Sequence, residues 1–340
     1  MPEIAVLDLR PHDPVRRSAV TRFLLAAASC LFAGAALAQT YPNRPVTLMV
    51  PFAPGGSVDA VARFVSPKLS ERLGQPVVVE NLAGAGGVIG TQRVASATPD
   101  GYTLLFAVES TIVIAKLVTP STVKYDGLKD FTPISLVGTS PLVLVGKPGL
   151  QANNIVELIQ LLRTQPGKMS YATAGVGSSL HLAGELINRQ AGVQMVHVPY
   201  KVGAQIVTDL IGNQIELAVL PLVMVHQAAK GGKLKAFGVT DSGRWATAPE
   251  IPSLGEDPNT KGVEVLVWFG LFAPAKTDRA IVARLAGEMD AVLKDPSISG
   301  RLGDLSMKPA NLSPTEFAAF LQKEHDKYAA IVKAANIKAE

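Results

Sequence analysis

The chain has 340 residues, 48% hydrophobic and 18% charged, enough apolar material for a sizeable core and, at about 150 residues per domain, for about two domains. That composition excludes fibrous and disordered classes, and the formal charge of +4 comes from scattered basic residues rather than a stripe, so no nucleic-acid partner is expected. The 30 Gly and 24 Pro against 11 Phe, 6 Tyr and 2 Trp fit many short element-to-loop transitions, as in α/β proteins.

The chain opens with Arg10, Arg16, Arg17 and Arg22 ahead of an apolar run from Phe23 to Ala38 that closes on Ala36-Leu37-Ala38. A basic start, a short apolar run and a small-x-small end make an export signal, cleaved before Gln39. The run is shorter than the roughly 20 apolar residues of a membrane anchor. Ala27-Ala28-Ser29 lacks the large aliphatic residue that a lipoprotein signal sets ahead of its cysteine, here Cys30. Arg16-Arg17 fits twin-arginine export, but no cofactor motif follows that requires folding first, which leaves Sec export as the default. Cleavage removes the only cysteine, so the mature chain holds together in an oxidising compartment without disulfides. A periplasmic, monomeric protein is expected.

Past the signal, residues 46–52 read as a buried strand, 53–58 as a turn, and Val61, Phe64, Val65 and Leu69 recur at helical spacing from Asp59 to Leu73. A strand at 77–81, a glycine turn at 83–87, a helix near 88–97 and a strand at 103–108 complete a βαβαβ unit, which implies a parallel sheet. The grammar restarts with a helix at 154–164 capped by Asn154, a strand at 169–173, a loop at 175–179, a helix at 179–190, a strand at 195–199, a helix at 203–211 and strands at 215–220 and 234–240. A helix over 278–294 follows, and Ser313-Pro314-Thr315-Glu316 is a capping box opening a last helix through Tyr328. Two extended apolar stretches, 134–147 and 263–273, are long enough to pass from one α/β unit into the other. They predict a hinge between one domain of residues 39–141 plus 263–340 and a second of residues 142–262, with strand C-termini of both meeting in a cleft.

In open parallel sheets ligands gather outside the strand C-termini, where helix N-termini aim N–H groups at anions. Three turns carry that chemistry. Gly56 and Ser57 follow the first strand, with Asp59 either a cleft residue or a plain helix-start residue. Gly84, Gly86 and Gly87 follow the second in a spacing that does not match a dinucleotide fingerprint. Gly177, Ser178 and Ser179 follow a strand of the second unit, and His181 on the next helix is either a ligand donor or a packed helix residue. Glu109 follows the third strand at the cleft edge, facing either a ligand or solvent. No G-x-S-x-G elbow, Walker A loop or metal-spaced histidine set is present, so no cofactor and no enzyme activity are expected. An exported hydrolase using Ser178 or Ser179 lacks a base paired in sequence.

The stretches VTLMVPFAPGGSVDAVAR, VVVENLAGAGGVIGTQRVASATPDGYTLL, DFTPISLVGTSPLVLV, YATAGVGSSLHLAGEL, VPYKVGAQIVTDLIGNQIELAV and WFGLFAPA resemble, in order over nearly all of residues 41–335, the Bug-type solute receptors of tripartite tricarboxylate transporters. The resemblance implies a type II periplasmic-binding-protein fold of two α/β domains closing on a small organic carboxylate, which passes to a permease of one small and one large subunit. It implies a carboxylate held by loop hydroxyls, backbone N–H groups and waters more than by arginine. Carried over by position, it adds Phe52 and Tyr200 to Gly56, Ser57, Asp59, the second-loop glycines, Gly177, Ser178, Ser179 and His181. The chain departs from the family pattern at Asn81-Leu82-Ala83-Gly84, which lacks a basic residue, at Leu220-Pro221, where an acid or amide is usual, and at Lys201–Gln205, where glycines are fewer. A related module serving an ATP-driven transporter or a sensor is the alternative. With Asp59 and Glu109 both placed at one rim, a second ligand carboxylate meets repulsion, so the expected ligand has one carboxylate and an apolar, hydroxyl or amino far end.

Overall fold

The structure is a computed structural model that describes residues 41–200 and 203–338; the export segment and its cleavage before Gln39 lie outside the described residues. From Arg44 the chain forms one compact unit. Val46–Val50 (β1) pairs in parallel with both Val77–Asn81 (β2) and Thr103–Val108 (β3). β1 stops ahead of Pro51, short of the expected Phe52, since proline brings no N–H to a ladder. The helix joining β1 to β2, Ser57–Leu73 (α1), buries Val58, Val61, Ala62, Val65, Leu69 and Leu73 at the three-and-four spacing that faces the sheet. It ends at Gly74 with φ 70, a left-handed cap that glycine adopts without Cβ strain. Val88–Ala95 (α2) joins β2 to β3. After β3 the chain makes one π-helical turn, Ser110–Ile114, and a short helix, Ala115–Val118 (α3).

The strand Phe131–Gly146 (β4) belongs to two groups of partners. Phe131–Pro141 pairs antiparallel with Leu266–Pro274 (β9), which pairs on its other side with β3. Leu142–Gly146 pairs with Leu217–Pro221 (β7) and Lys235–Val239 (β8). Beyond β7, Ser170–Thr173 (β5) lies parallel to β7 and to Val196–Pro199 (β6). The main strand order is thus β2-β1-β3-β9-β4-β7-β5-β6. Helices Ile155–Thr164 (α4), Ser179–Ala191 (α5), Gly203–Ile211 (α6) and Leu222–Lys230 (α7) alternate with the second set of strands. As the sequence suggests, the Asn154 side chain caps α4 by accepting from Glu157 N.

The C-terminal part returns to the first group. Arg279–Leu293 (α8) packs on α1 and β4, Pro296–Asp304 (α9) follows, and Lys308–Leu312 (β10) pairs antiparallel with β4. The last helix, Pro314–Ala335 (α10), carries the Ser313–Glu316 capping box and packs on both β4 and α5. Where β4 and the approach to β9 pass from one group of strands to the other, Thr240 joins them. Its buried hydroxyl accepts from Leu142 N at 3.0 Å and donates to Val265 O at 2.5 Å. Among the described residues no helix is long and apolar enough to cross a membrane.

Candidate functional site

The loop after β1 is shaped by an acid buried beneath it. Asp59, 3% exposed, accepts from Gly55 N at 2.9 Å, from Arg63 Nε at 2.9 and 3.0 Å, and from Asn81 Nδ2 at 2.9 Å. Asn81 Nδ2 also donates to Phe52 O at 3.0 Å, and Arg63 Nη2 closes the set on Asn81 Oδ1 at 2.8 Å. Burial pushes the Asp59 carboxyl up, but the Gly55 N–H, Arg63 and Asn81 together outweigh it and hold its pKa below the usual carboxylate value. The charge therefore points inward and is neutralised, away from the rim where sequence reasoning set it. Above it, Gly56 and Ser57 are exposed and the start of α1 has no side-chain cap, which leaves its first N–H groups for solvent or a ligand.

The second loop packs against the first. A Cβ on Gly87 would lie 2.6 Å from Thr111 Cγ2 and 3.0 Å from Phe52 Cζ, and the residue has φ +95, so only glycine seats there without strain. Gly84 and Gly86 also take positive φ, 144 and 64. Like α1, α2 begins without a side-chain cap. Phe52, Gly87 and Thr111 thus bring the ends of β1, β2 and β3 into one wall.

The loop after β5 is bound up within itself. Ser178 caps α5 by accepting from His181 N at 3.2 Å and donates to Gly175 O at 2.8 Å. Gly177 N donates to His181 Nδ1 at 3.1 Å, which fixes the tautomer with the proton on Nε2. The His181 ring is buried and stacks on His197 at 3.9 Å, and His197 Nε2 meets Thr173 Oγ1 at 2.6 Å. Burial lowers the pKa of His181, and burial followed by the His181 neighbour brings that of His197 down to about 4, so both rings are neutral near pH 7. Tyr200 is held at the end of β6: its N donates to Thr173 O at 2.8 Å and its hydroxyl to Asp209 Oδ2 at 2.9 Å. Because the Ser178 hydroxyl is a helix cap, Ser178→Ala is expected to cost the fold about 1 kcal/mol; a change below about 0.3 kcal/mol in denaturant melting would show the cap idle.

Glu109 lies at the root of the arrangement, not at its edge. It is 2% exposed, and it accepts from Ser179 Oγ at 2.7 Å and from Trp268 N at 3.0 Å. Neither serine hydroxyl is an exposed nucleophile: Ser179 is 1% exposed and bound to Glu109, and Ser178 is committed to Gly175 O. Sequence reasoning did not single out Arg63, Trp268 or Thr240. Arg63 had a local signal, four residues after Asp59 on one helix face; Trp268 and Thr240 act through partners distant in sequence. An open groove of about 570 Å³ between Glu185–Met195 and Ala334-Ala335 shares no residue with these loops.

The family model described as the tripartite tricarboxylate transporter family receptor matches residues 61–337. A Pseudomonas sp. protein, the UPF0065 protein of the tcbD-tcbE intergenic region, is 37% identical over 89% of this chain and 93% of its own length. BugT of Bordetella pertussis is 35% identical over 87% of this chain and 90% of its own. Among solved structures, the periplasmic binding protein BugD is 34% identical with a TM-score of 0.78, over 88% of this chain and all of that one. An R. palustris protein solved with adipate is 30% identical (TM-score 0.81, 88% and 99% covered), and MatC of Rhodopseudomonas palustris, solved with malate, is 32% identical (TM-score 0.77, 86% and 100% covered). With the family model spanning most of the chain and Bug proteins alike in sequence and fold, the chain belongs to the Bug-type receptor family of tripartite tricarboxylate transporters.

Proposed function

We propose that the mature chain, cut before Gln39, is a periplasmic, monomeric, non-catalytic receptor that closes two lobes, residues 39–141 plus 263–340 and residues 142–262, on a small organic carboxylate for a permease of small and large subunits. One observation carries the reading: two helices that start at the strand C-termini, α1 and α2, have no side-chain cap, while the acid nearest the first is neutralised from below. Such a wall attracts an anion. Gly56, Ser57, Gly84, Gly86 and Gly87 are its first-lobe side in this reading, and Gly177, Ser178 and Tyr200 its second-lobe side. With Asp59 and Glu109 engaged internally, repulsion no longer argues against a second ligand carboxylate. The ligand class therefore widens to mono- and dicarboxylates with an apolar or hydroxyl-bearing middle, which the adipate and malate found in two relatives support.

Binding to the folded state alone stabilises it by about 2.7 kcal/mol at a hundredfold excess over Kd. Thermal melts of the mature chain with malate, adipate and related mono- and dicarboxylates are expected to show that gain for at least one acid and none for the matching neutral amides. Equal shifts with acids and amides, or none with any acid, would count against the reading.

A further inference from the structure

Glu109 has a geometry that ligand contact does not explain. Its carboxyl closes the end of β3, one oxygen is bound to the first residue of α5, 70 residues on, and the other to the backbone of β9. These are three elements from both sides of the expected hinge. We propose that Glu109 is a positioning residue, a latch whose hold on Ser179 sets how readily the two lobes close and so how tightly the carboxylate is bound; this rests on the two-lobe receptor reading above.

The bond to Ser179 is well placed for the role. Ser179 opens the same helix that carries His181, and His181 accepts from Gly177 N within the ligand loop, so drawing Ser179 toward β3 carries the whole loop with it. The Thr240 junction holds the crossing strands but leaves this bond as a separate tie across the cleft root. The surroundings are dry. Trp268 is fully buried and Glu324 of α10 is 8% exposed, with one of its oxygens, and the Trp268 indole nitrogen, lacking a hydrogen-bond partner.

Opening withdraws Ser179 and admits water to the carboxyl, whereas closing buries it. Burial, opposed by the Ser179 and Trp268 bonds and reinforced by Glu324, raises the Glu109 pKa to about 7. The groups facing it are Glu324 and Tyr328 from α10, the Trp268 N–H from β9 and Ser179 from α5; burial lowers the pKa of His181, further along α5. Closure therefore takes up a proton, and affinity falls as pH rises toward about 7 and levels off above it.

The test uses the mature chain, which has no cysteine of its own, spin-labelled at Glu71→Cys and Gln160→Cys, both exposed. Inter-label distances are read without ligand and with malate or adipate, at pH 6 and pH 8. Wild type is expected to shift toward longer distances at pH 8. Ser179→Ala should lengthen the distances at both pH values and weaken binding of whichever acid binds by about tenfold at pH 8, where the carboxyl is charged, and by less at pH 6. Glu109→Gln should abolish the pH dependence, a change that a merely structural role does not produce; if that variant fails to fold, Ser179→Ala and the wild-type pH series still decide. Wild-type distances in Ser179→Ala at both pH values would overturn the latch and leave the receptor reading intact. Distances that respond to Ser179→Ala while neither acid binds any variant would support the latch and remove that reading's ligand class.

Discussion

Trp268→Ala is expected to destabilise the fold by about 3–5 kcal/mol and to lower Tm by roughly 5–8 °C. The indole is fully buried and stands edge-on to Phe317 at 5.9 Å and to Phe320 at 6.0 Å, with Phe272 at 6.2 Å. These rings join β9 to α10, and aromatic pairs of this kind add to the area they bury. Truncation empties a volume that the sheet cannot refill, since Gly270 beside it already sits within 2.7 Å of the Phe317 and Phe272 rings at its Cβ position. The indole N–H has no partner, so its loss offsets only a small part. A denaturant series comparing Trp268→Ala with Trp268→Phe checks this; a loss below about 1 kcal/mol for Ala would mean that the aromatic cluster does not hold β9 to α10.

The second large effect is at Asp59. Asp59→Ala leaves Gly55 N–H without an acceptor beneath the first loop and Asn81 Nδ2 with Phe52 O alone, which costs about 2 kcal/mol, with little from Arg63 because its side chain is half exposed. The loop then loses the shape that presents Gly56 and Ser57, and carboxylate affinity is expected to fall at least tenfold. Asp59 also sets an acid limb. Its folded pKa is depressed, so its contribution is present above the unfolded value of about 4 and is lost as pH falls through the lower folded value. Melting Asp59→Asn and wild type between pH 3 and pH 7 separates the two; parallel curves would show that Asp59 carries no such linkage.

Much of the architecture is written locally. The apolar runs of β1, β2 and β3, the Asn154 cap and the Ser313–Glu316 box act within a few residues of themselves, and the structure has elements where each points. Elements that depend on distant partners were not legible. β10 carries Pro309 and Asn311 and exists because it borders β4. α7 is nine residues beginning after Pro221, too short for its periodicity to stand out from the preceding strand. α9 holds Gly300 and Gly303, poor helix formers kept helical by the Asp295 cap and by packing on α8. The site followed the same division: the glycine loops stand where their residues predict, but Asp59 and Glu109 turn inward because Asn81, Ser179 and Trp268 reach them from 22, 70 and 159 residues away. No local pattern reports such a partner.

Closure of two lobes on a carboxylate makes the molecule smaller in solution, which small-angle scattering of residues 39–340 reads on titration with malate, adipate and other mono- and dicarboxylates. A saturable fall in radius of gyration is expected with at least one acid and none with its neutral amide; saturable binding of an acid with an unchanged scattering profile would mean that the lobes do not close on it.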